Sequence, residues 1–156
     1  MTEQQLADAI RQSIEIAAPI DVVWRLVSEP GWWINDGEIQ EHQVTTTTEA
    51  DGAVVAEVHG HGAGVWRLIV VELREPDYAA FRWAPHAAGD LDARNPTGST
   101  LVEFTLREAS GQVIVEVVES GFAALAIPPE KIIDNYADNT AGWAEELALL
   151  RTMATT

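Results

Sequence analysis

Cysteine is absent from this chain of 156 residues. Its absence excludes disulfides, thiolate metal sites, iron–sulfur clusters and a cysteine nucleophile. Positive charge is scarce: nine Lys and Arg face 25 Asp and Glu, a formal charge of -16. Binding to a phosphate backbone needs a density of Lys and Arg that this sequence lacks. The same charge opposes docking on an anionic membrane surface, so no nucleic acid and no membrane is expected as a partner. Long apolar runs are also missing. A run such as Leu68 to Val71 is only strand-sized, far short of the roughly 18 residues of a membrane span. Met1 to Gln12 is polar and mildly acidic rather than a signal peptide, which makes a cytoplasmic protein the expectation. Neither a Gly-x-x-x-x-Gly-Lys loop nor a strand–Gly-x-Gly-x-x-Gly–helix unit is present. No cofactor is therefore expected. Nor is there a Gly-x-Ser-x-Gly elbow for a serine nucleophile.

What is present suits one domain spanning residues 1–156 with a core of its own. Hydrophobic residues make up 47% of the chain. The aromatics are unusual in kind, with six Trp against two Tyr and three Phe. Leu, Val and Ile fill a core without a polar N–H to satisfy, so this many indoles point to a concave surface as well as a packed interior. The preference for Arg over Lys and the abundance of Ala suggest a bacterial coding bias.

Along the chain, Ile14 and Ile16 alternate with polar neighbours, predicting a short strand over 13–17 behind a flexible lead at 1–12. Pro19 and Asp21 then open a short helix carrying Val22, Val23, Leu26 and Val27. Pro30-Gly31 ends it. Strands are predicted over 38–48, 53–61, 65–75 and 78–84, separated by Asp51-Gly52 and Pro76-Asp77 turns. Residues 85–98 read as a long loop. A hairpin follows over 99–108 and 112–119, with Val102, Phe104 and Leu106 sharing a face. After Pro128-Pro129, apolar residues from Ile132 to Met153 recur every three or four positions, an amphipathic helix of about 25 residues. Strands in a run followed by a helix predict an α+β layer packing. In that packing a curved antiparallel sheet of about six to seven strands wraps on the long helix.

Several segments then look familiar. Ile14-Glu15-Ile16-Ala17-Ala18-Pro19 runs into Val22-Val23-Trp24-Arg25-Leu26, and Pro30-Gly31-Trp32-Trp33 follows. Phe81-Arg82-Trp83, Gly98-Ser99-Thr100-Leu101-Val102, Glu119-Ser120-Gly121-Phe122 and Gly142-Trp143 with Leu147 and Leu150 complete the set. In that order they resemble the SRPBCC (START-like, helix-grip) superfamily. Within it they resemble small bacterial proteins related to the C-terminal domain of Aha-type activators of the heat-shock protein 90 ATPase. The resemblance implies a helix-grip fold with a cavity between sheet and C-terminal helix. It also implies the range of roles such folds host: carriage of lipids, hormones or polyketides, cyclase or aromatase chemistry, and a homodimer or chaperone partner. Fold alone does not choose among these.

The cavity reading nominates ligand-binding residues: Trp32, Trp33, His59, Trp66, Phe81, Trp83, Phe104, Tyr136 and Trp143. Trp24 is assigned to the core. Trp32 and Trp33 are adjacent at a helix end, so at most one is expected inside and the other at a cavity mouth. The leading expectation is a binding protein for a small apolar or aromatic molecule, since indoles offer a broad apolar face with one donor. The alternatives are a cyclase-, aromatase- or hydratase-type enzyme on the same cavity, or a chaperone-cofactor-like module using an exposed Trp-bearing patch. For the enzyme reading, His59, Asp36 or Glu119 would be the acid or base, and a carboxyl buried among Trp would have a raised pKa. His59 and His61, two apart on a strand, share a face and could offer two metal ligands. No third is near in the sequence, so no metal site is assigned.

Overall fold

Alternation sets the strands. The computed structural model describes residues 7–35, 39, 41–59, 65–84 and 95–156. Its strands are β1 (Ala9–Ile16), β2 (Gln43–Thr48), β3 (Val54–His59), β4 (Val65–Arg74), β5 (Tyr78–Trp83), β6 (Thr100–Ala109) and β7 (Gln112–Ser120). Helix α1 (Ile20–Val27) follows β1, and helix α2 (Pro129–Ala154) closes the chain after a 3-10 turn at Phe122–Ala124. The strands form one antiparallel sheet in the order β1-β7-β6-β5-β4-β3-β2. This is the α+β helix-grip arrangement expected from the sequence.

The central strands turn an apolar phase inward, toward α2. Val102, Phe104 and Leu106 of β6, and Val113, Val115 and Val117 of β7, are all buried, while the residues between them are less so. The β6–β7 turn places Ser110 at φ 52° and Gly111 at φ 78°. Left-handed dihedrals at both central residues match the twist of the flanking strands, and the turn joins Ala109 directly opposite Gln112. A bulge between Val70 and Glu72 in β4 adds local bend and twist. The sheet and the helix between them bury Phe81, Phe104, Phe122, Leu68 and Leu150 completely.

Two details differ from the sequence reading. The first strand starts at Ala9 rather than Ser13, so 9–12 is ladder rather than a loose lead. Gln12 hid the alternation because it is polar in an inward phase. Its amide donates to the Thr140 carbonyl of α2 at 2.7 Å. The second concerns Trp32 and Trp33, which are both buried, at 4% and 3% exposure. Adjacent residues cannot share a helix face, but this pair lies beyond the helix in a turn. Gly31 adopts φ +76°, and a Cβ there would stand 2.7 Å from Val58 Cγ2. The chain thus presses on the sheet and delivers both indoles inward, edge to face at 85°. Part of the predicted 85–98 loop, residues 85–94, lies outside the described residues, as do Asp36, His61 and 60, 62–64 of the glycine-rich turn.

Candidate ligand-binding site

The site is built where the far end of the sheet meets the middle of α2. On the sheet, Trp83 of β5 pairs with Thr100 of β6, and Val102 pairs with Glu119 of β7. Because alternate residues share a face, Trp83, Thr100 and Glu119 all point inward as a short row. Glu119 continues the Val113, Val115, Val117 phase and is fully buried. On the helix, Asn139, Gly142, Trp143 and Glu146 are spaced i, i+3, i+4, i+7, which is one stripe.

Row and stripe meet at the Glu119 carboxylate. Trp83 Nε1 donates to its Oε2 at 2.8 Å and Thr100 Oγ1 to the same oxygen at 2.6 Å. Trp143 Nε1 donates to Oε1 at 2.8 Å and Asn139 Nδ2 at 3.1 Å. Burying a charge is costly unless its lone pairs are satisfied; here each oxygen accepts two donors. Burial pushes the carboxyl above its ordinary range, and the hydrogen bonds from Thr100, Trp143, Trp83 and Asn139 pull it partway back. Glu119 therefore ties β5, β6 and β7 to α2 and fixes the edges of two indoles.

Beside this knot lies a cavity of about 350 Å3. The sheet contributes Trp66 and Trp83, the helix contributes Asn139, Gly142, Trp143 and Glu146, and the segment after α1 contributes Trp33, Ile34 and Asn35. Its volume falls in the range of small-molecule pockets, roughly 300 to 1,000 Å3. The indole planes differ: Trp66 and Trp83 are inclined at 36°, Trp33 and Trp83 at 87°, Trp33 and Trp143 at 42°. Asn35 donates to Glu146 Oε1 at 2.7 Å and to the Trp32 carbonyl at 2.8 Å. The indole N–H groups of Trp33 and Trp66 have no partner among the described residues. Two other hollows are less equipped. One of about 630 Å3 lies between the start of α1 and the β6–β7 turn and has no aromatic wall. The other, of about 340 Å3, is on the outer face.

The nominated residues divide accordingly. Trp33, Trp66, Trp83 and Trp143 come together as pocket walls. Trp32, Phe81 and Phe104 form the packed layer behind them, with Trp32 5.2 Å from Phe104 and Trp33 5.4 Å from Phe81 between ring centroids. Tyr136 stands elsewhere, packed edge-on against Phe122 and donating its hydroxyl to the Ala9 carbonyl at 2.8 Å. His59 is on the opposite face of the sheet from Trp66, because Val58 rather than His59 pairs with Trp66. It lines the outer hollow with Glu57, Val65 and Arg67. Among the described residues no three His, Cys, Asp or Glu side chains gather as a metal site. Glu119, an acid–base candidate from the sequence, is not a pocket wall; all its acceptor capacity is engaged. Sequence reasoning missed Asn35, Asn139 and Glu146. The signal was available for the helix: Asn139, Gly142 and Glu146 interrupt an apolar stripe at helical spacing.

Comparison with known proteins gives a consistent picture. Residues 17–155 match the family described as Activator of Hsp90 ATPase homolog 1-like protein. Among solved structures, the chain is similar to the Aha1 dimer of Colwellia psychrerythraea, with a TM-score of 0.64 at 16% identity over 94% of this chain and 95% of that one. It is also similar to the Zhui aromatase/cyclase of Streptomyces sp. R1128, at 0.60 and 17% over 94% and 93%. A third likeness is to DynU16 from the dynemicin biosynthetic locus, at 0.66 and 21%, over 96% of this chain but 48% of that one. At these identities the likeness is one of fold. No curated protein sequence matches the chain.

Proposed function

The chain belongs to the Activator of Hsp90 ATPase homolog 1-like protein family, and from that premise we propose that it binds a small apolar or aromatic molecule between its sheet and C-terminal helix. The observation that carries this reading is the cavity of about 350 Å3 walled by Trp33, Trp66, Trp83 and Trp143. Side chains this large would close an interior void if packing were their sole task. Here Glu119 holds two of them at their N–H edges, so the walls are fixed before a ligand arrives, which lowers the ordering cost of binding.

The test uses Gly142, whose missing Cβ would meet nothing within 4 Å. A leucine there projects into the cavity. Tryptophan fluorescence is titrated with a panel of one- and two-ring aromatics on the parent chain and on Gly142→Leu. A saturable change is expected in the parent and not in the variant. An equal response in both places binding elsewhere, and no saturable response to any compound removes the proposal.

A second reading, an enzyme of cyclase or aromatase type, draws on Glu146, a carboxylate in the pocket wall oriented by Asn35 at 2.7 Å. That is the arrangement of a general base with its positioning partner. The surface-module reading has less to stand on. Its expected Trp-bearing patch is missing, since Trp24, Trp32, Trp33, Trp83 and Trp143 are buried and Trp66 is partly so.

A further inference from the structure

We infer that the pocket selects an organic cation, a substituted ammonium head on a compact apolar body, over its neutral or anionic counterparts. This rests on the pocket being the ligand site. Four observations converge on it. First, the walls are indoles at several inclinations, 36°, 42° and 87° between neighbouring pairs. A flat ligand asks for parallel faces, whereas a compact head is met from several sides. Second, indole has the most negative face of the aromatic side chains and attracts cations within about 6 Å of the ring centroid. Third, the N–H groups of Trp83 and Trp143 both donate to the Glu119 carboxylate, at 2.8 Å each. A donor bonded to a carboxylate is polarised along its chain of bonds, and that shift makes the ring face more negative. Fourth, the one ionisable wall residue among the described residues is acidic: Glu146.

Among the described residues, no basic side chain lines those walls. The sheet's arginines nearest in sequence are in the outward phase. Arg67 pairs with Glu57 on the far face at 3.1 Å, and Arg82 lies between the inward residues Phe81 and Trp83 and donates to Ser99 Oγ at 3.4 Å. An anionic ligand would therefore meet the Glu146 carboxylate and negative ring faces within a molecule of formal charge -16. A cation would find all three contributions favourable.

Three probes of one shape separate the possibilities: 4-hydroxyphenyltrimethylammonium, its uncharged isostere 4-tert-butylphenol, and the anion 4-tert-butylbenzoate. Each is titrated into the full chain while NMR follows the indole N–H resonances, assigned with Trp33→Phe and Trp66→Phe. The cation is expected to bind at least about tenfold tighter than the phenol, and the benzoate weakest. Equal affinities for cation and phenol, or tightest binding of the benzoate, overturn the charge preference and leave the proposed function standing. No saturable shift with any probe overturns both. Glu146→Gln keeps the side chain's size and its contact with Asn35. It is expected to weaken the cation about threefold or more while leaving the phenol unchanged; an equal loss for both assigns Glu146 a packing role and overturns its part in the preference.

Discussion

Glu119 occupies a position that the strand's alternation would otherwise fill with a fourth valine after Val113, Val115 and Val117. What makes a carboxylate tolerable there is that four donors converge on it. An amide has one acceptor oxygen and one donating nitrogen, so Glu119→Gln turns an NH2 toward two of those donors. Orphaned buried polar groups cost about 1–3 kcal/mol each. Urea denaturation at neutral pH is expected to show Glu119→Gln destabilised by about 2–4 kcal/mol, and Glu119→Ala by more, since it also leaves a cavity. Near-parent stability in both variants would remove the knot from the account. The inward phase of Glu119 was legible in its sequence, because period two fixes the face. Its partners were not. They lie 19 to 36 residues away, and no local pattern tells which side chains a register will align. Tyr78 offers a second residue-scale check on the other face. Burial and its 2.6 Å hydrogen bond to Glu103 push its hydroxyl up to about 12, so an ultraviolet titration should show a phenolate transition near that pH that Tyr78→Phe removes.

Elements are where sequence and structure agree most closely, and the reason is physical. Strand and helix periods are properties of a few neighbouring residues, so Val102, Phe104 and Leu106 declare the inward face of β6 without help from elsewhere. Disagreement arises where a polar residue takes an inward phase, as at Gln12, or where a turn carries the chain out of its period, as at Gly31. Gly31 and Gly142 make the contrast testable. Gly31 has φ +76° and a neighbour 2.7 Å from any added Cβ. A left-handed dihedral alone costs a non-glycine residue roughly 1–2 kcal/mol, so Gly31→Ala is expected to lose at least that in chemical denaturation. Gly142 is helical with open space around its missing Cβ, and Gly→Ala in a helix interior is worth about 0.5–1 kcal/mol. Gly142→Ala should therefore gain stability by about that amount. A glycine that weakens the longest helix yet meets no neighbour makes sense as a pocket wall, where a larger side chain would take up the ligand's room. Loss of stability in Gly142→Ala would contradict that explanation.

For the molecule as a whole, a formal charge of -16 and the fully buried Glu119 carboxylate act on stability in the same direction as pH falls. Surface carboxylates repel one another, and protonating some of them relieves the compact state. Burial raises the Glu119 carboxyl in the folded chain above its ordinary range. The folded state thus holds this proton more tightly than the unfolded one. Its contribution is fully present below the ordinary carboxylate range and is lost as pH rises through the folded-state value. Acidification from pH 7 toward pH 5 is accordingly expected to raise the urea midpoint. Salt separates the two causes. At 1 M the Debye length is about 3 Å, which suppresses repulsion among exposed carboxylates but reaches poorly to a side chain with 0% exposure. In high salt the parent chain should retain part of the rise between pH 7 and pH 5, and Glu119→Gln should lose that part. If the high-salt slopes of the two proteins coincide, surface charge accounts for the whole effect. The Glu119 carboxylate would then be no less comfortable folded than unfolded, because its four donors would fully offset its burial.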